Sequence, residues 1–431
     1  MNLKVAIDVQ ILPGTDGGVA QAVKSLIHTL GELADGDEQY TIVIANEEQR
    51  KWLSPLLGPN QKFSCKTEYR TEYRRPSIVK RILRPVLSAA LSAARRVHDR
   101  LDPSRYWPEV EISDGFYEKL ECDVLHIPTQ GFRLCALPTI YNPHDLQHLH
   151  FPNFFSCRDI AVRETIYPTG CRLARTVVVG SQWIKDDIVR QYHVSPDKIQ
   201  IIPEAAPMEI ASRPTSESLA QVQRKYQLDL PFVLFPAVTW PHKNHIRLLE
   251  AIATLRETHG LTIRLVCTGG LYKQWWPHVE RRVQELQLQS QVKFLGFVPE
   301  EDIRALYMLA EFLVMPTLFE ASSLPVFEAW ASGLPVASSD ATAMPDQVLD
   351  AALLFDPYRV ESIADALAKL ATNEEFREDL KVRGYQRLKD FNLIRTAKAY
   401  RAVYRRAGGY PLTDEDRSLL QWDWMREPKR V

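Results

Sequence analysis

Short runs of β-branched and aliphatic residues alternate along this chain with longer stretches in which apolar residues recur every three or four positions. The runs have the length of buried strands and the stretches have the period of amphipathic helices. In the first half the pattern predicts strands over Lys4–Asp8, Tyr40–Ala45, Val124–Ile127, Thr139–Tyr141 and Thr176–Gly180. Between the first two, Val19, Val23, Leu26, Ile27 and Leu30 mark one face of a helix over Val19–Leu33. The alternation stops at Pro203–Ser216, which holds three prolines and no period, and reads as a linker between domains.

It then restarts, with strands expected over Phe232–Pro236, Thr262–Thr268, Val292–Leu295, Phe312–Met315 and Pro335–Ser338, and helices over Asn244–Glu257 and near Val279–Leu288. Glu374–Ala407 is strongly helical. Strand and helix in strict alternation imply parallel sheets with crossover helices, so the fold class is α/β with two Rossmann-like, doubly wound domains. The expected bounds are residues 1–205 for the first domain, 206–216 for the linker, 217–400 for the second, and a tail over 401–431 that crosses back to the first. In such folds ligands bind beyond the carboxyl ends of the strands where the strand order reverses, which predicts a ligand cleft faced by both domains.

Composition narrows the chemistry. Lys plus Arg number 53 and Asp plus Glu 54, so overall charge gives no reason to expect a nucleic acid partner. The six cysteines are scattered, without a C-x-x-C pair or zinc-ligand spacing, and read as free thiols of a reducing compartment. No window holds the roughly 18 uninterrupted apolar residues of a membrane span, and the N-terminal run lacks the pattern of a signal peptide. Cytoplasmic residence is the expectation. One local exception to the even charge is Arg74–Arg105, where nine basic residues stand among Ile78, Val79, Ile82, Leu83, Val86, Leu87 and Leu91. Such a basic amphipathic segment suits contact with an anionic membrane face.

The chemistry-bearing residues follow strands. After Phe312–Met315, Glu320 and Glu328 flank a loop that opens a helix, with Pro325 near the first helical position. Unpaired amides of Ser322, Ser323, Leu324 and Val326 at that helix start are suited to a diphosphate. Glu328, one turn in, can accept hydrogen bonds from ribose hydroxyls. After Phe232–Pro236, Lys243 precedes Asn244, a candidate cap of the next helix, and can neutralise a leaving diphosphate. Trp240 suits either a base pocket or the core. In the first half, Gly17 and Gly18 lead directly into a helix and allow close backbone approach by a ligand. His144 follows Thr139–Tyr141 within a run that also holds His148 and His150, a spacing that does not make a standard metal site.

The segment from Glu320 through Glu328 to Val336 resembles the E-x7-E motif of glycosyltransferase family 4, continued by its A-x-x-G-x-P-V run. Asn142 to Leu146 is similar to the family's His-Asp-Leu segment. The resemblance implies the two-domain GT-B fold and a retaining transferase that moves a sugar from a nucleoside diphosphate to an acceptor hydroxyl. It implies no bound cofactor, a nucleotide-sugar donor and a saccharide or lipid-linked acceptor. It places His144 on the donor sugar, Glu320 near the transferred sugar, Lys243 on the diphosphate, and Gly17 and Gly18 against the donor. The sequence departs from the family at Ala321, Ser322 and Ser323, where Gly-Phe-Gly is common, and at Val238, where an Arg is common. A catalytically silent nucleotide-sugar-binding subunit and a nucleotide-sugar epimerase or hydrolase on the same scaffold are the alternatives.

Overall fold

The computed structural model describes residues 2–9, 11, 17–66, 108–205, 214–229 and 231–424. The basic segment 74–105, most of the expected linker and Gly14 to Asp16 lie outside these residues. The chain divides into two compact units: Met1–Val179, Lys185–Ile202 and Ala397–Trp422 form the first, and Gly180–Ile184, Pro203–Thr396 and Asp423–Val431 the second. The division departs from the expected bounds in giving residues 180–184, 203–205 and those from Asp423 onward to the second unit, and in starting the return at Ala397.

The first unit carries a seven-stranded sheet of β1 (Lys4–Asp8), β2 (Gln39–Ile44), β3 (Gln61–Cys65), β4 (Val124–Ile127), β5 (Thr139–Tyr141), β6 (Thr176–Val179) and β7 (Ile199–Ile201). Every pairing is parallel, in the order β3-β2-β1-β4-β5-β6-β7. The order reverses between β1 and β4, where Val5 pairs with Val124. β4 and β5 are buried along their whole length, and the one histidine they carry, His126, is satisfied by hydrogen bonds. Helix α1 (Gly18–Glu32) buries the predicted face, Val23, Leu26, Ile27 and Leu30 included.

The returning residues from Ala397 onward are fastened to this unit by polar side chains. Buried His126 on β4 bonds Asn142 Oδ1 through Nε2 at 2.9 Å and Tyr404 Oη through Nδ1 at 2.8 Å. Asn142 in turn donates to Tyr400 Oη at 2.8 Å. Arg401 pairs with Asp35 at 2.7 Å, and Arg405 bridges Glu38 and Asp416.

The second unit is built on β8 (Val233–Pro236), β9 (Leu265–Thr268), β10 (Val292–Phe294), β11 (Phe312–Met315), β12 (Val336–Ser339) and β13 (Leu353–Phe355). They pair in parallel, in the order β10-β9-β8-β11-β12-β13, and the order reverses between β8 and β11. Helices α2 (His245–Thr258), α3 (Glu300–Leu309), α4 (Leu324–Ala331), α5 (Met344–Val348) and α6 (Glu374–Leu388) belong to this unit. Gly384 on α6 packs so closely that an added Cβ would stand 2.3 Å from the Trp330 ring of α4, which seats the helix that carries Glu328. The strongly helical stretch over Glu374–Ala407 consists of two helices, because Asn392 accepts from Arg395 N at 3.1 Å and starts a new one, α7 (Leu393–Gly408).

Candidate active site

In the second unit the strand order reverses between β8 and β11, and the loops leaving these two strands carry Lys243 and Glu320. Lys243 ends a short 3-10 turn, Pro241–Lys243, because Asn244 adopts a left-handed conformation with φ 63°. Asn244 starts α2 but does not cap it with its side chain, contrary to expectation. Its amide instead donates to Pro316 O at 2.9 Å and Pro357 O at 2.8 Å, tying the lysine loop to the chain beyond β11 and β13. His242 O accepts from Leu318 N at 2.8 Å and closes the same two loops together.

Across this tie Lys243 Nζ donates to Glu320 Oε1. Both side chains are largely shielded, at 18% and 11% exposure, so the pair is held in a setting where charge interactions are strong. Glu320 is fixed on its backbone as well: Thr342 Oγ1 accepts from Glu320 N at 2.9 Å and donates to Glu320 O at 2.7 Å. Burial, reinforced by the charge of Glu320, pushes the Glu204 carboxyl up to about 8. Glu204 is therefore a neutral acid beside an ion pair at neutral pH.

The helix starts where expected, but two of its first amides differ from their prediction. Ser323 is the residue before α4 and Pro325 its second residue. The Ser323 amide is not unpaired: Gln347 Oε1 accepts it at 2.8 Å while Gln347 Nε2 donates to Ser323 O at 2.9 Å. Val326 N bonds Ser323 O at 3.3 Å. Of the expected diphosphate donors these two amides are thus already engaged. The physical reason is that a buried amide needs a partner, and Gln347 on α5 reaches this one. Buried Arg387 holds Gln347 in place by donating to Gln347 O at 3.0 Å and Asp346 O at 2.9 Å. Glu328, one turn into α4, accepts from the buried hydroxyl of Tyr307. Trp240 is 44% exposed beyond the end of β8, edge-on to Tyr272 at 6.5 Å, which removes the core-packing alternative.

In the first unit, His144 follows β5 with a left-handed φ of 65°, and its Nε2 lies 2.9 Å from Pro128 O, just beyond β4. Burial holds its imidazole below the usual histidine range, so it is neutral at pH 7 with the Nε2 proton given to that carbonyl. His148 and His150 pair with different carboxylates, Glu164 at 2.7 Å and Asp187 at 2.8 Å. Gly17 precedes α1 with an ordinary φ of −97°, so its backbone is unstrained, and an added Cβ there would meet nothing within 4 Å among the described residues.

Sequence reasoning missed Tyr307, Thr342, Gln347 and Glu204. Each belongs to an element remote from the motif it supports, and none sits in a recognisable pattern.

Two family models match the chain: glycosyl transferases group 1 over residues 220–387 and glycosyltransferase family 4 over residues 73–209. O-antigen chain mannosyltransferase B of Escherichia coli is 28% identical over 286 residues, 62% of this chain and 73% of that protein. The serotype-specific mannosyltransferase WbdA of Escherichia coli is 27% identical over 226 residues, which is 52% of this chain and 28% of WbdA. D-inositol 3-phosphate glycosyltransferase of Corynebacterium glutamicum is 26% identical over 241 residues, 54% of this chain and 58% of that protein. Among solved structures, Anabaena HepE in complex with UDP-glucose superposes with a TM-score of 0.67 at 15% identity, over 94% of this chain and 100% of HepE. Sucrose-phosphate synthase of Thermosynechococcus elongatus gives 0.64 at 18% identity over 94% of this chain and 99% of that one.

Proposed function

The chain belongs to the group 1, family 4 glycosyltransferases with the two-domain GT-B fold, and we propose that it transfers a mannosyl-type hexose from a nucleoside-diphosphate sugar to a saccharide acceptor hydroxyl in surface polysaccharide assembly. The mannosyl assignment rests on the mannosyltransferases among the relatives. Rhamnosyl and glucosyl donors are the competing choices of the same chemistry.

The observation that carries the reading is the shielded Lys243–Glu320 pair at the reversal of strand order, on the loop that leads into the helix of Glu328. A diphosphate brings more negative charge to Lys243 than Glu320 does, so donor binding exchanges one anionic partner for another. Lys243 then neutralises the charge that develops on the departing diphosphate. Glu320, released, accepts hydrogen bonds from the transferred sugar, and Glu328 accepts from the ribose. His144, neutral, contacts the sugar, and the backbone at Gly17, Gly18, Ser322 and Leu324 approaches the donor. Transfer proceeds with retention: the acceptor oxygen bonds to the anomeric carbon on the face that the diphosphate leaves, the bond from that carbon to the phosphate oxygen breaks, and the leaving phosphate oxygen takes the acceptor's proton. No bound metal is required in this scheme, and the basic segment 74–105 brings a lipid-linked acceptor within reach at an anionic membrane face.

The test is a calorimetric panel of UDP, GDP and ADP with their sugars, run with and without EDTA. Selective binding that survives EDTA and is lost in Lys243→Met supports the reading. Binding that needs a divalent cation, or that ignores Lys243, overturns the metal-independent scheme.

A further inference from the structure

Tyr307 sits on α3 with its ring buried, at 2% exposure, and its hydroxyl lies 2.5 Å from Glu328 Oε2 on α4. A buried phenol needs a partner, but a backbone carbonyl or water would serve at little cost. Here it reaches across from a different helix to the one glutamate of α4. Burial and the nearby Glu328 carboxylate hold Tyr307 well above the usual tyrosine range, so it donates at any physiological pH. A hydrogen bond from a neutral hydroxyl to a carboxylate fixes the rotation of that carboxylate and favours its charged state.

From this geometry we infer that Tyr307 is a positioning residue for donor recognition: it orients the Glu328 carboxylate so that it can accept the ribose hydroxyls of the nucleotide. The inference rests on the reading of Glu328 as the ribose contact. It separates the anchoring of the nucleotide from the chemistry at Lys243 and Glu320. Tyr307 touches no reacting atom, and its loss should weaken binding without changing the chemical step. A tyrosine that served only to fill the core would influence stability alone.

The experiment compares the nucleoside diphosphate that binds tightest among UDP, GDP and ADP with its 2′-deoxy analogue, on wild type and on Tyr307→Phe. Loss of a hydroxyl bonded to a carboxylate should weaken wild-type binding roughly tenfold. In Tyr307→Phe the ribose form should bind roughly tenfold more weakly, and the penalty for the missing hydroxyl should shrink to about twofold or less. The donor KM should rise while kcat stays within about threefold of wild type. An undiminished deoxy penalty in Tyr307→Phe overturns the inference even if the variant is less stable. Should that variant not be obtained folded, Tyr307→Leu, which also removes the hydroxyl and leaves Glu328 intact, is read the same way: a diminished deoxy penalty supports the inference, and an undiminished one overturns it. Wild type that binds none of the diphosphates refutes the donor-site reading itself, independently of Tyr307.

Discussion

Replacing Lys243 with Met removes the cation from a pair whose side chains are 18% and 11% exposed, with a shielded Glu320 left behind. For a fully exposed pair the loss would be about 0–1 kcal/mol, and for a fully buried one about 3–5 kcal/mol. The observed exposures lie near the buried limit, so the expected loss is about 2–4 kcal/mol. Most of that cost is the stranded carboxylate. Adding Glu320→Gln to the lysine variant should therefore restore stability to within about 1 kcal/mol of wild type, giving a coupling of about 2 kcal/mol between the two sites. Equilibrium urea unfolding followed through the tryptophans of the second unit measures all four corners of the cycle. Transfer activity should behave differently. If Lys243 serves the departing diphosphate, both the single and the double variant lose about 10²–10³-fold in kcat, since the uncharged amide restores the fold but not the cation. Recovery of activity in the double variant would refute the assignment, because it would show that Lys243 only neutralises Glu320. A lysine variant as stable as wild type would refute the energetic argument.

Two further outcomes concern pH. Burial pushes His126 down to about 4, from 6.5, so its neutral form stabilises the fold above pH 6.5 and that contribution is lost as pH falls through 4. The loss should be on the order of 3 kcal/mol, and acid titration of the first unit's stability should show it shrink in His126→Asn. Glu204 has the opposite sign: raised to about 8 from 4.5, it contributes stability below pH 4.5 that is lost as pH rises through 8. Stability from urea unfolding between pH 5 and 8 should therefore fall less steeply in Glu204→Gln than in wild type, by up to about 1.4 kcal/mol per pH unit.

The central strands are legible in the sequence because both faces of β4, β5 and β11 are covered, which leaves runs such as Phe312–Met315 with no polar interruption. Within the two large sheets, the strands that the pattern does not disclose, β3, β7 and β13, all lie at edges. Gln61–Cys65 is only partly buried there, so its pattern of Gln, Lys, Phe, Ser and Cys carries neither alternation nor an apolar run. Site residues are legible where they leave a strand on a short loop, as Lys243 and Glu320 do. Asn244 misleads because its amide donates to two distant carbonyls and its Oδ1 accepts from the Arg247 side chain rather than from a backbone amide of the helix. Gln347 and Tyr307 are invisible for the same reason: each acts on a motif 21 or more residues away, through contacts that only the packed unit creates.

Transfer of a hexose from a nucleotide sugar, with its anomeric configuration kept, is the proposal on which the rest depends. It is tested by incubating the purified chain with GDP-mannose, UDP-glucose or a nucleoside-diphosphate rhamnose and a mannan-type oligosaccharide, in the presence of EDTA, and reading the product by mass spectrometry and proton NMR. Nucleoside diphosphate release should be matched by acceptor molecules one sugar longer, with the new bond in the donor's anomeric configuration. Inversion at that carbon, or release of free sugar with the acceptor unchanged, would contradict it.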